Sequence, residues 1–386
     1  MRFYRALVVV ALLPAAMAAQ RPAQDTVPVG RFDLGRMWTF EYAPSEYFSR
    51  TYGFSADSAW FARARLAALR IPGCSAAFVS ADGLIITNHH CVRGNVNAIS
   101  QRGENLLDSG FVAATPADER RMPSMLADQL LAALDVSDEV NKAVDAVPEG
   151  PARDEARRVT VAAAQLRLKA KYATPGDSIL VQVVALYNGA RSSAYVFRRY
   201  TDIRLVVAAE LGVANLGGDW DNFTYPRYAL DFAVMRAYGP DGKPVSSPAH
   251  FAWGGVDGVK AGDAVFVIGN PGATRRLTTI SQLEFQRDVA LPMQDRFLSS
   301  RIAALKAFRE ASRNEDQKRD ALVSMLGLSN SWKPIGGRLE GLRDPAIMGR
   351  RATIERTLVD SIRARPDLRA RYSKLFDRMA TLQAQR

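Results

Sequence analysis

Only three histidines occur in the 386 residues, and two of them stand together in Gly83-Leu84-Ile85-Ile86-Thr87-Asn88-His89-His90-Cys91. Imidazole is the side chain that exchanges a proton near neutral pH. Placed at the end of an apolar strand, it is held firmly enough to take a proton from a nucleophile. His90 is the candidate for this work because it directly precedes Cys91, whereas His89 points the opposite way and packs or hydrogen-bonds locally. Cys74 and Cys91 are the only cysteines. An oxidising compartment favours one disulfide between them over a metal site that lacks further thiols, and that bond would pin the loop carrying the imidazole. His250, in Ser246-Ser247-Pro248-Ala249-His250, reads as a surface-loop residue.

A general base of this kind needs a buried carboxylate to hold its tautomer and to stabilise the imidazolium. Asp231 is the best candidate, since it heads the otherwise apolar run Phe232-Ala233-Val234-Met235-Arg236. Asp219 and Asp221, in Gly217-Gly218-Asp219-Trp220-Asp221-Asn222, compete for the role, although a Gly-rich loop gives aspartate a turn-forming task of its own.

The elements that must position these groups are β-rich. Residues 75–80 and 84–87 flank Ala81-Asp82-Gly83 and read as a hairpin. Strand-like runs recur at residues 178–187, 203–209, 232–238 and 264–268, a spacing that fits a small β-barrel or sandwich. A helical pattern over residues 58–70 lies against this domain, and residues 152–172, rich in Ala and Arg and free of Pro and Gly, predict a helix inserted within it. From about residue 280 the chain changes to long, charged, helix-favouring stretches at 280–313 and 348–384.

With 48% hydrophobic, 24% charged and 9% aromatic residues, the composition excludes wholesale disorder, collagen and a disulfide-dense mini-protein. The net charge of +11 raises nucleic-acid binding, but residues 301–386 alone carry 19 basic and 10 acidic side chains, and no RNA-recognition or zinc-finger spacing accompanies them. Exposed Arg-rich helices with acidic neighbours account for that excess, so no nucleic-acid partner is expected. Arg2 and Arg5 precede an apolar run at residues 6–13, then Pro14 and Ala16-Met17-Ala18, which is the pattern of a secretory signal cleaved after Ala18. The run is far shorter than the ~20 apolar residues of a membrane span. An exported protein, periplasmic or secreted and without stable membrane insertion, is expected.

The His-Cys element occurs together with four longer motifs. These are Leu186-Tyr187-Asn188-Gly189, Arg199-Tyr200-Thr201-Asp202-Ile203-Arg204-Leu205-Val206, Gly217-Gly218-Asp219-Trp220-Asp221-Asn222-Phe223-Thr224-Tyr225-Pro226-Arg227 and Gly269-Asn270-Pro271-Gly272-Ala273-Thr274. In this order, over about residues 37–343, the chain resembles the bacterial dipeptidyl-peptidases of the type 7 and type 11 group, which are serine exopeptidases. The resemblance implies a β-rich plus α fold: a chymotrypsin-like β-barrel, the first of two, with inserted surface helices, followed by an α-helical domain. It implies His90 as general base and Asp231 as its orienting acid. Asn222 and Phe223 match the pair that holds the substrate's free amino terminus, Phe223 standing where the family has Trp. Asn330, in Ser329-Asn330-Ser331-Trp332-Lys333, matches a helical-domain asparagine with the same task. Such contacts count two residues from the chain end, so the implied products are dipeptides and the partners are peptide substrates. A homodimer is implied as well, and no metal or organic cofactor.

The family's serine lies in a Gly-Asn-Ser-Gly-Ser-like motif in the second barrel, and no Gly-x-Ser-Gly occurs in these 386 residues. The expected organisation is a signal peptide at 1–18, the N-terminal part of the peptidase domain at 19–279, and an incomplete helical domain at 280–386, with the second barrel absent. The sequence therefore reads as a fragment that is inactive alone. The alternative is a non-catalytic relative that holds peptide amino termini without cutting, against which the presence of both His90 and Asp231 argues. A Deg-type endopeptidase would need a Gly-Asn-Ser-Gly-Gly element soon after Asp231, and none follows.

Overall fold

In the computed structural model, which describes residues 37–215, 228–254, 258–271 and 278–386, the chain enters through helices α1 (Ser45–Tyr52) and α2 (Ser58–Ala67). The Asp57 carboxylate accepts the Trp60 N–H at 2.7 Å and so caps α2. Strands β1 (Ala68–Ile71), β2 (Cys74–Phe78), β3 (Leu84–Thr87), β4 (Phe111–Val112), β5 (Arg120–Arg121), β6 (Ala127–Asp135), β7 (Ser178–Leu186), β8 (Arg191–Tyr200), β9 (Asp202–Ala208) and β10 (Ala233–Tyr238) form one antiparallel sheet. Its order is β4-β9-β10-β3-β2-β1-β6-β8-β7, and β5 adds to β9. Between the strands lie α3 (His89–Ala98), α4 (Leu106–Ser109), α5 (Ser137–Asp145), α6 (Pro151–Tyr172) and α7 (Leu211–Ala214). The chain then becomes helical: α8 (Ile280–Phe285), a π-helical turn (Gln286–Ala290), α9 (Leu291–Ala311), α10 (Glu315–Arg343), α11 (Pro345–Ala364), α12 (Pro366–Tyr372) and α13 (Leu375–Ala384).

The hairpin forms as read, with Ala77 opposite Ile86 and Phe78 opposite Ile85. Gly83 turns it at φ +79°, and a Cβ there would also meet the Ala237 carbonyl at 3.0 Å, so two independent constraints demand glycine. Leu69, Phe78, Ile85, Leu205 and Met235 pack with Val92 and Val96 of α3 into one core. Each large side chain so buried contributes roughly 1.5–3 kcal/mol. A second core joins Val140 and Val144 of α5 and Leu168 of α6 to Val181 and Val196.

Two expectations are corrected. The helical pattern of residues 58–70 ends at Ala67, because Ala68–Ile71 is captured between β2 and β6, and ladder pairing on both sides outweighs local helix preference. Residues 264–268 form no strand. Phe266 is anchored among Phe48, Phe54 and Trp60, with centroids 5.0–5.3 Å apart, while Val265 and Val267 are exposed. The alternation is that of a strand, but no neighbour among the described residues supplies a ladder.

Candidate functional site

The register of β3 against β10 places the site. Thr87 lies opposite Ala233 and Ile85 opposite Met235. In an antiparallel pair the residues just after β3 meet those just before β10, so residues 88–90 and Asp231 arrive at one end of the sheet. Asn88 is the N-cap of α3, yet its side chain does not cap the helix. Its Nδ2 instead donates to the Asp231 carbonyl and to Asp231 Oδ2, both at 3.0 Å. Asp231 Oδ1 accepts the His90 N–H at 3.0 Å, one of the donors that a helix start leaves without an intrahelical acceptor. The helix therefore receives its anionic cap from the segment just before β10, at the end where the helix dipole favours negative charge.

His90 Nδ1 lies 2.7 Å from Asp231 Oδ2, and the Asp231 side chain is only 5% exposed against 26% for His90. A carboxylate accepts only, so neutral His90 carries its proton on Nδ1 and presents the lone pair of Nε2. The Cys74–Cys91 disulfide ties the first turn of α3 to the start of β2. His89 is buried, and its ring bonds to the Ala209 carbonyl. Burial first, then the Arg93 and His90 charges, lower its pKa to about 4 despite the Asp231 carboxylate, so it stays neutral near pH 7.

His90 and Asp231 line a cleft whose other wall is α10. Leu326, Asn330 and Lys333 repeat at i, i+4 and i+7 and so share one helix face towards it. The Trp332 indole N–H donates to Asp295 Oδ1 at 2.7 Å and fastens α10 to α9. Asn97 Nδ2, in α3, reaches Asp320 Oδ1 of α10 at 3.4 Å. The structure thus brings together His90, Asp231 and Asn330. Asn222, Phe223, Asp219 and Asp221, like residues 1–18 expected to form a leader, lie outside the described residues. His250 is half-buried, with Nδ1 3.0 Å from the Ser247 carbonyl.

Sequence reasoning missed Asn88, Arg93 and Lys333. An asparagine just before a helix start is a signal for the first of these; the other two become visible only once the helices are placed. A ring nitrogen of His90 and the sulfurs of Cys74 and Cys91 lie within 4.8 Å of one another, with the sulfurs bonded as a disulfide. Among the described residues no helix is long and apolar enough to cross a membrane.

Residues 32–386 match the family model described as peptidase S46. An Asp/Glu-specific dipeptidyl-peptidase from Shewanella putrefaciens is 30% identical over 304 residues, covering 76% of this chain and 40% of that protein. Dipeptidyl-peptidase 7 from Porphyromonas gingivalis is 30% identical over 303 residues, covering 75% of this chain and 41% of that protein. The chain thus spans about 40% of the length of these relatives. The crystal structure of Porphyromonas endodontalis DPP11 in complex with the dipeptide Arg-Glu superposes with a TM-score of 0.74 at 20% identity, covering 90% of this chain and 53% of that one. That likeness concerns the fold: an antiparallel sheet followed by a helical region.

Proposed function

Because the chain belongs to the peptidase S46 family, we propose that it is the N-terminal portion of an exported serine dipeptidyl-peptidase, which releases dipeptides from the amino termini of peptides. The observation that carries the reading is the 2.7 Å contact between His90 Nδ1 and the buried Asp231 carboxylate, an arrangement that a mere peptide-binding module would not need. In this reading His90 Nε2 takes the proton of a serine hydroxyl as the oxygen attacks the peptide carbonyl. Nε2 then returns the proton to the departing amine, and water repeats the sequence on the acyl-enzyme. Asp231 orients the ring and balances the imidazolium. The Asn330 amide oxygen accepts from the substrate's ammonium group, together with Asn222 and Phe223. Domain boundaries near residues 18 and 279 and a homodimeric assembly go with this reading.

No Gly-x-Ser-Gly occurs in the 386 residues, so the purified chain is expected to bind such peptides without cutting them. Calorimetric titration with a short peptide carrying a free amino terminus should give binding about tenfold tighter than its N-acetylated form, the worth of one charge-assisted hydrogen bond. Asn330→Ala should remove most of that difference. Equal binding of the two peptides, or release of dipeptides by the chain itself, would overturn the reading.

A further inference from the structure

Cys74, Cys91 and His90 form a chemical unit that proton transfer does not use as such. The two sulfurs and a His90 ring nitrogen lie within 4.8 Å of one another, and all three residues are half-buried. We propose that reduction of the Cys74–Cys91 disulfide by a dithiol turns this cluster beside His90 into a binding site for a divalent metal of the zinc type, with two thiolates and one imidazole as ligands. The dithiol supplies two electrons and two protons, the S–S bond breaks, and the reductant leaves as its own disulfide. The metal then displaces two thiol protons to solvent, and the two thiolates match its charge. Thiolate with imidazole is the donor set that selects zinc over magnesium or calcium.

The geometry supports this step. Tetrahedral coordination with metal–sulfur bonds of about 2.3 Å sets the sulfurs roughly 3.8 Å apart, within the span the three ligand atoms already occupy. The two Cα atoms are 6.1 Å apart, so rotation about each Cα–Cβ bond can supply the adjustment. The backbone beside Cys74 is held without the disulfide, by the β1 pairing that sets Ile71 opposite Cys74 and by the Thr87 hydroxyl donating to the Ser75 carbonyl at 2.9 Å. Cys91 is held by α3. With the metal on Nε2, Asp231 on Nδ1 is the carboxylate that commonly stands behind a metal-bound imidazole, and a fourth position is left for water. Metal on either ring nitrogen withdraws His90 from proton transfer, because Nε2 is the acceptor and Nδ1 is the nitrogen that Asp231 holds. The disulfide and the metal site are mutually exclusive states of the same atoms.

The test is cobalt(II) titration of the 386-residue chain before and after reduction with dithiothreitol, under anaerobic conditions and with the reductant removed. Folding is followed in parallel by far-ultraviolet circular dichroism. The reduced chain should develop thiolate-to-cobalt charge-transfer bands saturating at one equivalent and lost on adding zinc, while the oxidised chain shows none. His90→Ala should weaken binding about tenfold or more, whereas His250→Ala should match the parent. Three outcomes would overturn the proposal: no bands in the folded, reduced chain; unchanged affinity in His90→Ala; or loss of the fold on reduction. None of these readouts depends on peptidase activity, so the two readings stand or fall separately.

Discussion

Replacing Asp231 with asparagine changes one atom of the site and almost none of its volume. On this carboxylate converge, among the described residues, the His90 N–H on Oδ1 at 3.0 Å, and His90 Nδ1 at 2.7 Å with Asn88 Nδ2 at 3.0 Å on Oδ2. Asparagine keeps a single acceptor oxygen. The backbone N–H is a fixed donor, so the amide oxygen stays opposite it, and the new amine faces both His90 Nδ1 and Asn88. His90 can respond by moving its proton to Nε2, which makes Nδ1 an acceptor. Asn88 cannot respond by flipping, since its Nδ2 also donates to the Asp231 carbonyl at 3.0 Å. One donor is left facing a donor, which costs about 1–3 kcal/mol. Exchanging charge-assisted for neutral bonds adds on the order of 1 kcal/mol, and relief of carboxylate desolvation offsets a similar amount. The expected net loss is about 1–3 kcal/mol of stability by urea denaturation. The sharper expectation is tautomeric. Nitrogen-15 NMR of the histidine-labelled chain should show protonated Nδ1 in the parent and protonated Nε2 in Asp231→Asn, leaving no lone pair on Nε2. A variant whose neutral His90 keeps its proton on Nδ1 would refute the arrangement.

Two further expectations concern the neighbours of this pair. The folded-state pKa of His89, about 4, lies below its ordinary 6.5, so the unfolded chain binds the proton first and stability falls as pH drops from about 6.5 towards 4. The full difference corresponds to about 3 kcal/mol; denaturation at several pH values should show this loss shrinking in His89→Gln, and an identical pH dependence in the variant would exclude the account. The Cys74–Cys91 bond closes a sequence separation of 17 residues, for which chain entropy gives about 3 kcal/mol. The Cys74→Ser, Cys91→Ser double variant should therefore unfold at distinctly lower denaturant, and an unchanged midpoint would mean that the bond constrains nothing.

Local signals were legible where the chain settles its structure locally. The Asp82-Gly83 turn, the apolar run that precedes His90 and the acid just before β10 were all readable from residue types alone. Strands β6 and β8 were not. The sequence of β6, Ala127-Asp128-Gln129-Leu130-Leu131-Ala132-Ala133-Leu134-Asp135, favours helix by composition, and it becomes a strand because β1 and β8 pair with its two sides. In β8, Arg199 looks like a surface charge until it is found bonded to the buried Asp128 at 2.7 Å. The pairing of His90 with Asp231 could be expected from strand ends, but the Asn88 contacts and the α10 face carrying Asn330 and Lys333 depend on tertiary placement.

The two constraints on His90 also differ in how far apart in the chain they must be gathered. The disulfide spans 17 residues, whereas the contact with Asp231 spans 141. Closing the longer loop costs about 2 kcal/mol more in chain entropy, and the contact it brings is non-local, of the kind that slows folding. During folding, the backbone carrying His90 can therefore be anchored at Cys91 by a short closure, while its ring acquires a partner only when β10 docks against β3. The start of α3 depends on the same event, because its cap stands just ahead of that distant strand. Completion of a helix end and alignment of an imidazole thus depend on one and the same docking, because both contacts are made by Asp231.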